Sequence, residues 1–600
     1  MSGRRRRRVL RRFGPTWWVL TAGAFVVLGA GVYLAVTAFM VRGEVADLQR
    51  NLGTVQQFVR EGRLDDARLA AADAAPAAAR AHSLTSGPVW SAAAAVPWVG
   101  SPLASVRDTT AGVDRLANDV LPSLAAVAGD LDPATLRPDG STIDVATLRR
   151  LAPTLHTASV QADAVERTVD AAPDHTWLGV VDNAHATVQQ AVSKLAGMLR
   201  GADQAAAIAP GLLGVDGTRR YFVGFQNEAE SRGTGGLPGA FAILSATNGK
   251  VTFERFESDV TLLSYRPDQT VPTGLDFGPD YDARWEGSDP TDFYVNSNLS
   301  AHFPYAAQTW VAMWEQVSGE HLDGALAIDP TALSYLLDVT GPAALPDGTA
   351  VSADDVVDLT QRVAYAKFAS TPQGILDRKA WLVSVTEAAE KQLLAGSGDP
   401  AAMVAALARG VGERRVLAWT SDPTVQAALE RTPAAGVVPD TAAAFSGVVL
   451  NNAAAGKLDY YVSRRFDYVR TGCGATRDVT ATLTLTNDAP ASGLPDLVVG
   501  RLDDRAAQAQ PGDTRVLFDY MATSGATLQS VTVDGRTVPV ARFTERGHPV
   551  FRVDLEVPRG TSTEVTVHLT EPSGGTGAPA ILLPPGVTPV VTAVNNQTCS

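Results

Sequence analysis

The chain has 600 residues, with 64 acidic against 50 basic side chains and a formal charge of −14. That acid excess argues against nucleic acid or anionic lipid as the main partner. The two cysteines, Cys473 and Cys599, are too few for a cysteine-built zinc or iron–sulfur centre.

The chain opens on charge and then turns apolar. Arg4, Arg5, Arg6, Arg7, Arg8, Arg11 and Arg12 precede residues 17–41, which carry no charge. As a helix that run is roughly 37 Å long, enough for a ~30 Å hydrocarbon core. Arginine beside a span prefers the cytoplasm, so 1–16 reads as a basic cytoplasmic tail. On this reading 17–41 is a single transmembrane helix, and everything from 42 onward is extracytoplasmic. A cleaved signal peptide is the competing reading. Its apolar region is shorter, about 7–15 residues, and Val36-Thr37-Ala38-Phe39-Met40 is a poor cleavage site. Arginine far outnumbers lysine and alanine abounds, which suggests a high-GC genome. Without the seven leading arginines the rest of the chain carries about −21.

Residues 42–210 have a helical period. Val45, Leu48, Leu52, Val55 and Val59 recur every three or four positions, and alanine-rich repeats of the same kind fill 64–82, 103–128, 146–171 and 178–207. Pro88, Pro97 and Pro102 interrupt the first pair, with Trp90 and Trp98 beside them. The expectation is an all-α stalk or bundle that lifts later domains off a membrane. His82, His156, His175 and His185 are scattered, with no zinc-binding spacing.

From about 218 the period shortens. Residues 221–225 and 239–247 are apolar runs of buried-strand type, and Asn248-Gly249 signals a hairpin before 251–256. Residues 304–318 read as a helix that starts at Pro304 and stops at Gly319. A strand follows at 324–328. Asp329-Pro330 then caps a helix over 332–339, closed by Gly341. Helical patterns return at 356–366 and 375–394. Strands alternating with helices predict a central α/β layered domain over 211–435. The stretch 264–302 is a long loop without period, its acids Asp280, Asp282, Glu286, Asp289 and Asp292 lacking the spacing of a calcium loop.

The last part, 445–600, is β. Val479, Ala481, Leu483 and Leu485 alternate with Thr480, Thr482, Thr484 and Thr486, giving one apolar and one threonine face. Residues 531–535, 550–557 and 565–569 repeat the style, which predicts an immunoglobulin-like β-sandwich. In an oxidising compartment Cys473 and Cys599 pair most simply with each other, although two unrelated thiols are the other reading.

Three groups of residues can carry chemistry. Gln226–Gly236 holds several glycines around Arg232, which either meets a phosphate or carboxylate or sits in a tight turn paired with Glu228 or Glu230. Asp259, at the end of the next strand, either holds a divalent cation or arginine or is simply solvated. Lys367, in Tyr365-Ala-Lys367-Phe368, and Asp377-Arg378-Lys379 either face a pocket or form a solvated helix face. There is no nucleotide fingerprint, Walker loop or nucleophile elbow.

The strings FQNEAESRGTGG, SNLSAHFPYAAQTWVAMWEQVSGEHLDGALAIDPTALSYLLDVTGP, RRVLAWTSDPTVQAALE and KLDYYVSRR closely resemble the domain-of-unknown-function-4012 family. Its members are membrane-anchored envelope proteins common in actinobacteria, and the resemblance spans the region beyond the expected anchor. The order of an arginine-bearing turn, an acid-ended strand, Tyr-Ala-Lys-Phe and Asp-Arg is more weakly similar to the LytR-CpsA-Psr family. That family transfers glycopolymers from polyprenyl pyrophosphate carriers onto peptidoglycan. The similarity implies pyrophosphate binding by Arg232, Lys367 and Arg378, and a divalent ion such as Mg on Asp259 and Asp377. It departs at Gly233, where the family has an acid, and at Ser258, where the family has an arginine.

Three functions follow as expectations. The first is an extracytoplasmic envelope protein, membrane-anchored through 17–41, that binds or assembles surface glycopolymers. The second is an active phosphoglycosyl transferase. The third is a purely structural or adhesive surface protein. The partners implied are the cytoplasmic membrane and a polyprenyl-linked glycan or cell-wall polymer, with no nucleic acid.

Overall fold

The computed structural model describes residues 29–34, 36–38, 40, 64–127, 130, 136–137, 142–395, 398–573 and 578–599. The chain divides into two compact units, Met1–Thr135 with Thr147–Ala206, and Leu136–Ala146 with Ala207–Ser600.

The first unit is helical. Helices α1 (Leu64–Thr85), α2 (Ser101–Arg115), α3 (Val145–Asp170) and α4 (Gly179–Leu212) supply most of it, and α2 runs through one π turn at Leu116–Val120 into Leu121–Val127. The three-and-four spacing seen in the sequence becomes a seam. Ala158, Ala162, Val165 and Val169 of α3 meet Val192, Ala196 and Leu199 of α4 and Leu116 and Val120 of the π turn.

The second unit is built on a five-stranded sheet. Strands β1 (Arg219–Arg232), β2 (Gly235–Thr247) and β3 (Lys250–Glu257) form an antiparallel meander. The β2–β3 turn is Asn248-Gly249, both at positive φ (49° and 83°), as the right-handed twist of a hairpin requires. Helix α5 (Phe303–Ser318) then returns the chain to β4 (Gly324–Ile328), which pairs parallel with β1. Strand β5 (Val416–Thr420) closes the order β3-β2-β1-β4-β5, antiparallel to β4.

Side chains alternate across this sheet. Phe222, Phe241 and Ile243 pack under Trp310, Met313 and Trp314 of α5, while Tyr221, Val223, Ala242 and Leu244 face the other way with Leu212 and Leu213. Helices α6 (Pro330–Thr340) and α7 (Pro372–Leu394) both begin on prolines, behind capping side chains. Asp329 accepts from Ala332 N at 2.7 Å and Thr371 from Gly374 N at 3.1 Å.

Two further sheets face each other beyond residue 444. The first contains β7 (Val462–Thr471), β8 (Thr476–Asn487), β10 (Thr527–Val533), β12 (Ser562–Pro572) and β13 (Val591–Asn596). The second is built around β6 (Phe445–Asn452), β9 (Thr514–Ala522) and β11 (His548–Val557). Val479, Ala481, Leu483 and Leu485 enter the shared core with Phe466, Phe518 and Val567. The threonines of β8 turn outward, where Thr482 and Thr566 hydroxyls meet at 3.2 Å. Cys473 and Cys599 are disulfide-bonded with their Cα atoms 5.6 Å apart.

The loop 264–302 folds into turns and a short helix, Pro279–Trp285. It is fastened by Arg284, whose Nη2 donates to Asp519 of β9 at 2.6 Å and whose guanidinium also pairs with Glu545. Of the loop acids, Asp280, Asp282, Glu286 and Asp289 are exposed, and Asp292 accepts from Thr273 N at 3.1 Å.

The fold class expected from the sequence is corrected on two points. Among the described residues no helix is long and apolar enough to cross a membrane. The long described helices fall short because charges recur along them, as at Asp182, Lys194, Arg200 and Asp203 of α4. Apart from 29–34, 36–38 and 40, which are helical, the expected span 17–41 lies outside the described residues, as do 1–16 and 42–63. Secondly, the helical region is not an uninterrupted all-α stalk to residue 210. Its chain leaves at Leu136–Ala146, where Thr142 bridges to Lys250 and Ile143 N donates to Gly249 O at 3.1 Å. The central sheet is mixed, with β1–β4 its one parallel pairing, because tight hairpins between β1, β2 and β3 force antiparallel neighbours.

Candidate functional site

Of the two readings of Gln226–Gly236, the structure has the tight turn, a hairpin in which Arg232 pairs with Glu230. β1 runs on to Arg232 and β2 starts at Gly235, leaving Gly233-Thr234 as the turn. The glycines admit neighbouring backbone. A Cβ on Gly233 would stand 2.2 Å from Leu299 O, and one on Gly236 would stand 2.2 Å from the Asn227 carbonyl carbon. The register slips between Asn227 and Ser231, so Glu228, Ala229 and Glu230 form a bulge.

Both bulge glutamates are buried and bonded. Glu228 Oε1 accepts from Arg415 Nη1 at 2.8 Å and Thr331 Oγ1 at 3.2 Å, and Oε2 accepts from Gln361. The same Arg415 Nη1 reaches Asp329 Oδ2 at 2.9 Å. Two carboxyls thus share one guanidinium. Burial, reinforced by Asp329, pushes the Glu228 carboxyl well above the ordinary range.

Glu230 accepts from Arg232 Nη2 at 2.7 Å and from Lys457. Arg232 also donates to the carbonyls of Ser231 (3.0 Å), Asn452 (3.3 Å) and Val295 (3.3 Å). Burial lowers its guanidinium to about 10, against the pull of Asp459. Asp459 itself accepts from Ser231 N at 2.7 Å. Arg232 is therefore a fully bonded structural cation.

A second cluster lies where α7 meets the end of β3. Asp259, just past β3, pairs with Lys379 Nζ at 2.6 Å. One residue before Lys379, the Arg378 guanidinium lies 4.6 Å from the centre of the Tyr365 ring, and the Tyr365 hydroxyl accepts from Asn227 Nδ2 at 2.7 Å. Lys367 Nζ sits 4.9 Å from the Trp381 ring and 5.8 Å from Phe368. Asp377 is exposed and accepts from Gln373 Nε2 at 2.8 Å.

The bonding of Arg378 is incomplete. Its Nε is enclosed without a hydrogen-bond partner, and among the described residues its guanidinium makes no hydrogen bond or ion pair. Burial holds it below the ordinary arginine range, against Tyr365 and Asp259. An enclosed cation with an idle Nε, next in sequence to the Asp259-paired Lys379, can receive a planar or tetrahedral oxyanion.

Of the residues singled out in the sequence, the structure gathers Asp259, Lys367 and Arg378 around Tyr365 and Trp381, and sends Arg232 to Glu230. As candidate metal ligands, Asp259 is occupied by Lys379 and Asp377 faces solvent. Among the described residues no group of three or more His, Cys, Asp or Glu side chains could hold a metal ion. Sequence reasoning passed over Asp329 and Arg415 as a partner set for Glu228. Both stand in the quoted strings, but 187 positions separate Arg415 from Glu228 and no local spacing joins them.

No curated protein and no solved structure matches the chain. Residues 216–365, from the start of the central sheet to Tyr365 of the candidate site, match the model of a family described as a protein of unknown function, DUF4012.

Proposed function

We propose that this protein acts outside the cytoplasm as a binding or assembly factor in surface glycopolymer biogenesis, and that Arg378, with Lys367 and Lys379, receives an anionic group of the polymer or its carrier. The observation that supports this reading is the Arg378 guanidinium, enclosed yet without a hydrogen bond among the described residues. An unpaired buried cation is costly unless something else completes it. The Cys473–Cys599 bond suits an oxidising, exported location. Binding is preferred over glycopolymer transfer because Arg232 is spent on Glu230 and three carbonyls.

Titration of the full chain with a short-chain polyprenyl diphosphate, and separately with an uncharged oligosaccharide, tests the reading. The diphosphate should bind and Arg378→Ala should weaken it 30-fold or more, since losing one member of a buried charged contact costs about 2–5 kcal/mol. Arg465→Ala, which removes an exposed arginine paired with Asp467, should leave binding unchanged. Equal affinity of wild type and Arg378→Ala would refute the assignment, and turnover of a glycan-bearing diphosphate would favour the transferase.

A further inference from the structure

The helical unit carries an apolar surface that no described residue covers. Val96, Trp98 and Val99 lie in the turn between the short helix Pro88–Ala94 and α2. Trp177, Leu178 and Val180 lie where the chain passes from α3 into α4. Trp177 Nε1 donates to Val99 O at 3.3 Å, which ties the two turns together. Trp98 is 90% exposed, Val180 71% and Trp177 62%.

Trp98 has φ 68°, a left-handed conformation that a bulky L residue rarely adopts. Its carbonyl is held by Ser101 Oγ at 3.2 Å, and the turn closes so tightly that a Cβ on Gly100 would stand 2.4 Å from Ala94 O. The backbone thus accepts an unfavourable geometry that leaves an indole in the open. Residues 86–106 carry no charge, in a chain of net −14. The first charges beyond them, Arg107 and Asp108, neutralise each other at 2.8 Å. The helical residues 29–34, 36–38 and 40 add a stripe to the same unit, with Val32, Val36 and Met40 exposed at four-residue intervals and Thr37 accepting from Trp90 Nε1 at 2.8 Å.

We propose that this face lies in the lipid–water interface of a bilayer, with Trp98 and Trp177 at headgroup depth and without a span being required. Indoles flanked by aliphatic side chains partition to that interface, where one end is apolar and the other wet. A protein partner would call for a polar, hydrogen-bonding rim, which the uncharged 86–106 turn does not supply, the exposed Asp174 and His175 being confined to the Trp177 turn. The 86–106 turn carries no charge, so its insertion is compatible with the acid excess of the chain. The proposal is independent of the anion site.

Both native cysteines are disulfide-bonded, so one introduced cysteine can carry a nitroxide label. The full chain would be labelled in turn at Trp98→Cys, Trp177→Cys and, as a control on α3, the 52% exposed Val160→Cys. It would then be mixed with vesicles of phosphatidylcholine, with and without phosphatidylglycerol. Labels at 98 and 177 should become several-fold less accessible to a water-soluble nickel relaxant and more accessible to oxygen, equally in both lipids, while 160 stays aqueous. Trp98→Gly, which relieves the backbone, should keep or raise the melting temperature and still make the label at 177 shallower. Accessibility at 98 and 177 equal to that at 160 would overturn the proposal. So would shielding that appears without vesicles and grows with protein concentration, because it would assign the face to a second copy.

Discussion

Arg232 and Arg378 are almost equally enclosed, 6% and 7% exposed, yet their surroundings are opposite. Arg232 spends its donors on Glu230 and on three carbonyls drawn from 231, 295 and 452. Arg378 has a ring beneath it, an acid nearby that is already committed to Lys379, and an orphaned Nε. Burial alone therefore does not separate a structural cation from a binding one. What separates them is whether the protein itself completes the donor set, because an unmet buried donor costs about 1–3 kcal/mol and more when charged.

The largest effect expected from this contrast is on stability. Arg232→Ala leaves Glu230 with Lys457 alone and takes a donor from the carbonyls of Ser231, Asn452 and Val295, and should lower the unfolding free energy by about 3–5 kcal/mol in chemical denaturation. Among the described residues Arg378→Ala removes no hydrogen bond, and it should change stability by less than about 1 kcal/mol. Similar losses for both variants would break the comparison.

Next is the disulfide, which braces the sandwich that supplies Asn452, Lys457 and Asp459 to the Arg232 cluster. Cys473→Ser with Cys599→Ser opens a link across 126 positions and should cost about 2–5 kcal/mol. Anion binding by the still-folded protein should be little changed, since the sandwich meets the site only through the packing of Leu458, Ala489 and Val498 on Tyr365.

A smaller effect is tied to pH. Glu228 has a folded pKa raised above its unfolded value near 4.5, so between those two values the native state holds a proton that the unfolded chain has released. Its contribution therefore favours folding at low pH and is lost as pH rises from about 4.5 toward the folded value. Glu228→Gln, which is neutral throughout, should flatten the decline in stability over that window. An unchanged slope would mean that the proton resides elsewhere.

The smallest effect concerns Lys367, which is exposed and stacked on Trp381. Lys367→Ala should alter stability by no more than about 0.5 kcal/mol and weaken diphosphate binding only a few-fold, with a shallower salt dependence.

Much of the local structure was legible because its causes are local. The Asn248-Gly249 turn, the Asp329 cap, the Gly319 stop at φ 73° and the threonine alternation over 480–486 each follow from side chains a few positions apart. The strands Val416–Thr420 and Val462–Thr471 were missed because they are short or carry charges within them, and long-range pairing decides them. The same holds for the site. Asp259, Lys367 and Arg378 stood out as charges near predicted element ends, and Tyr365 lay in the same run as Lys367. Arg232 looked like their companion. Its destination depends on Asn452 and on the Lys457 that shares Glu230 with it, more than 200 positions downstream and invisible to any local spacing.

Dicarbonyl modification of the native chain, read residue by residue in a mass spectrometer with and without inorganic pyrophosphate, tests the contrast most directly. Arg378 should react in the folded state and be protected by pyrophosphate, while Arg232 should react only on unfolding. An Arg378 that stays unreactive, or that reacts identically with and without pyrophosphate, would contradict it.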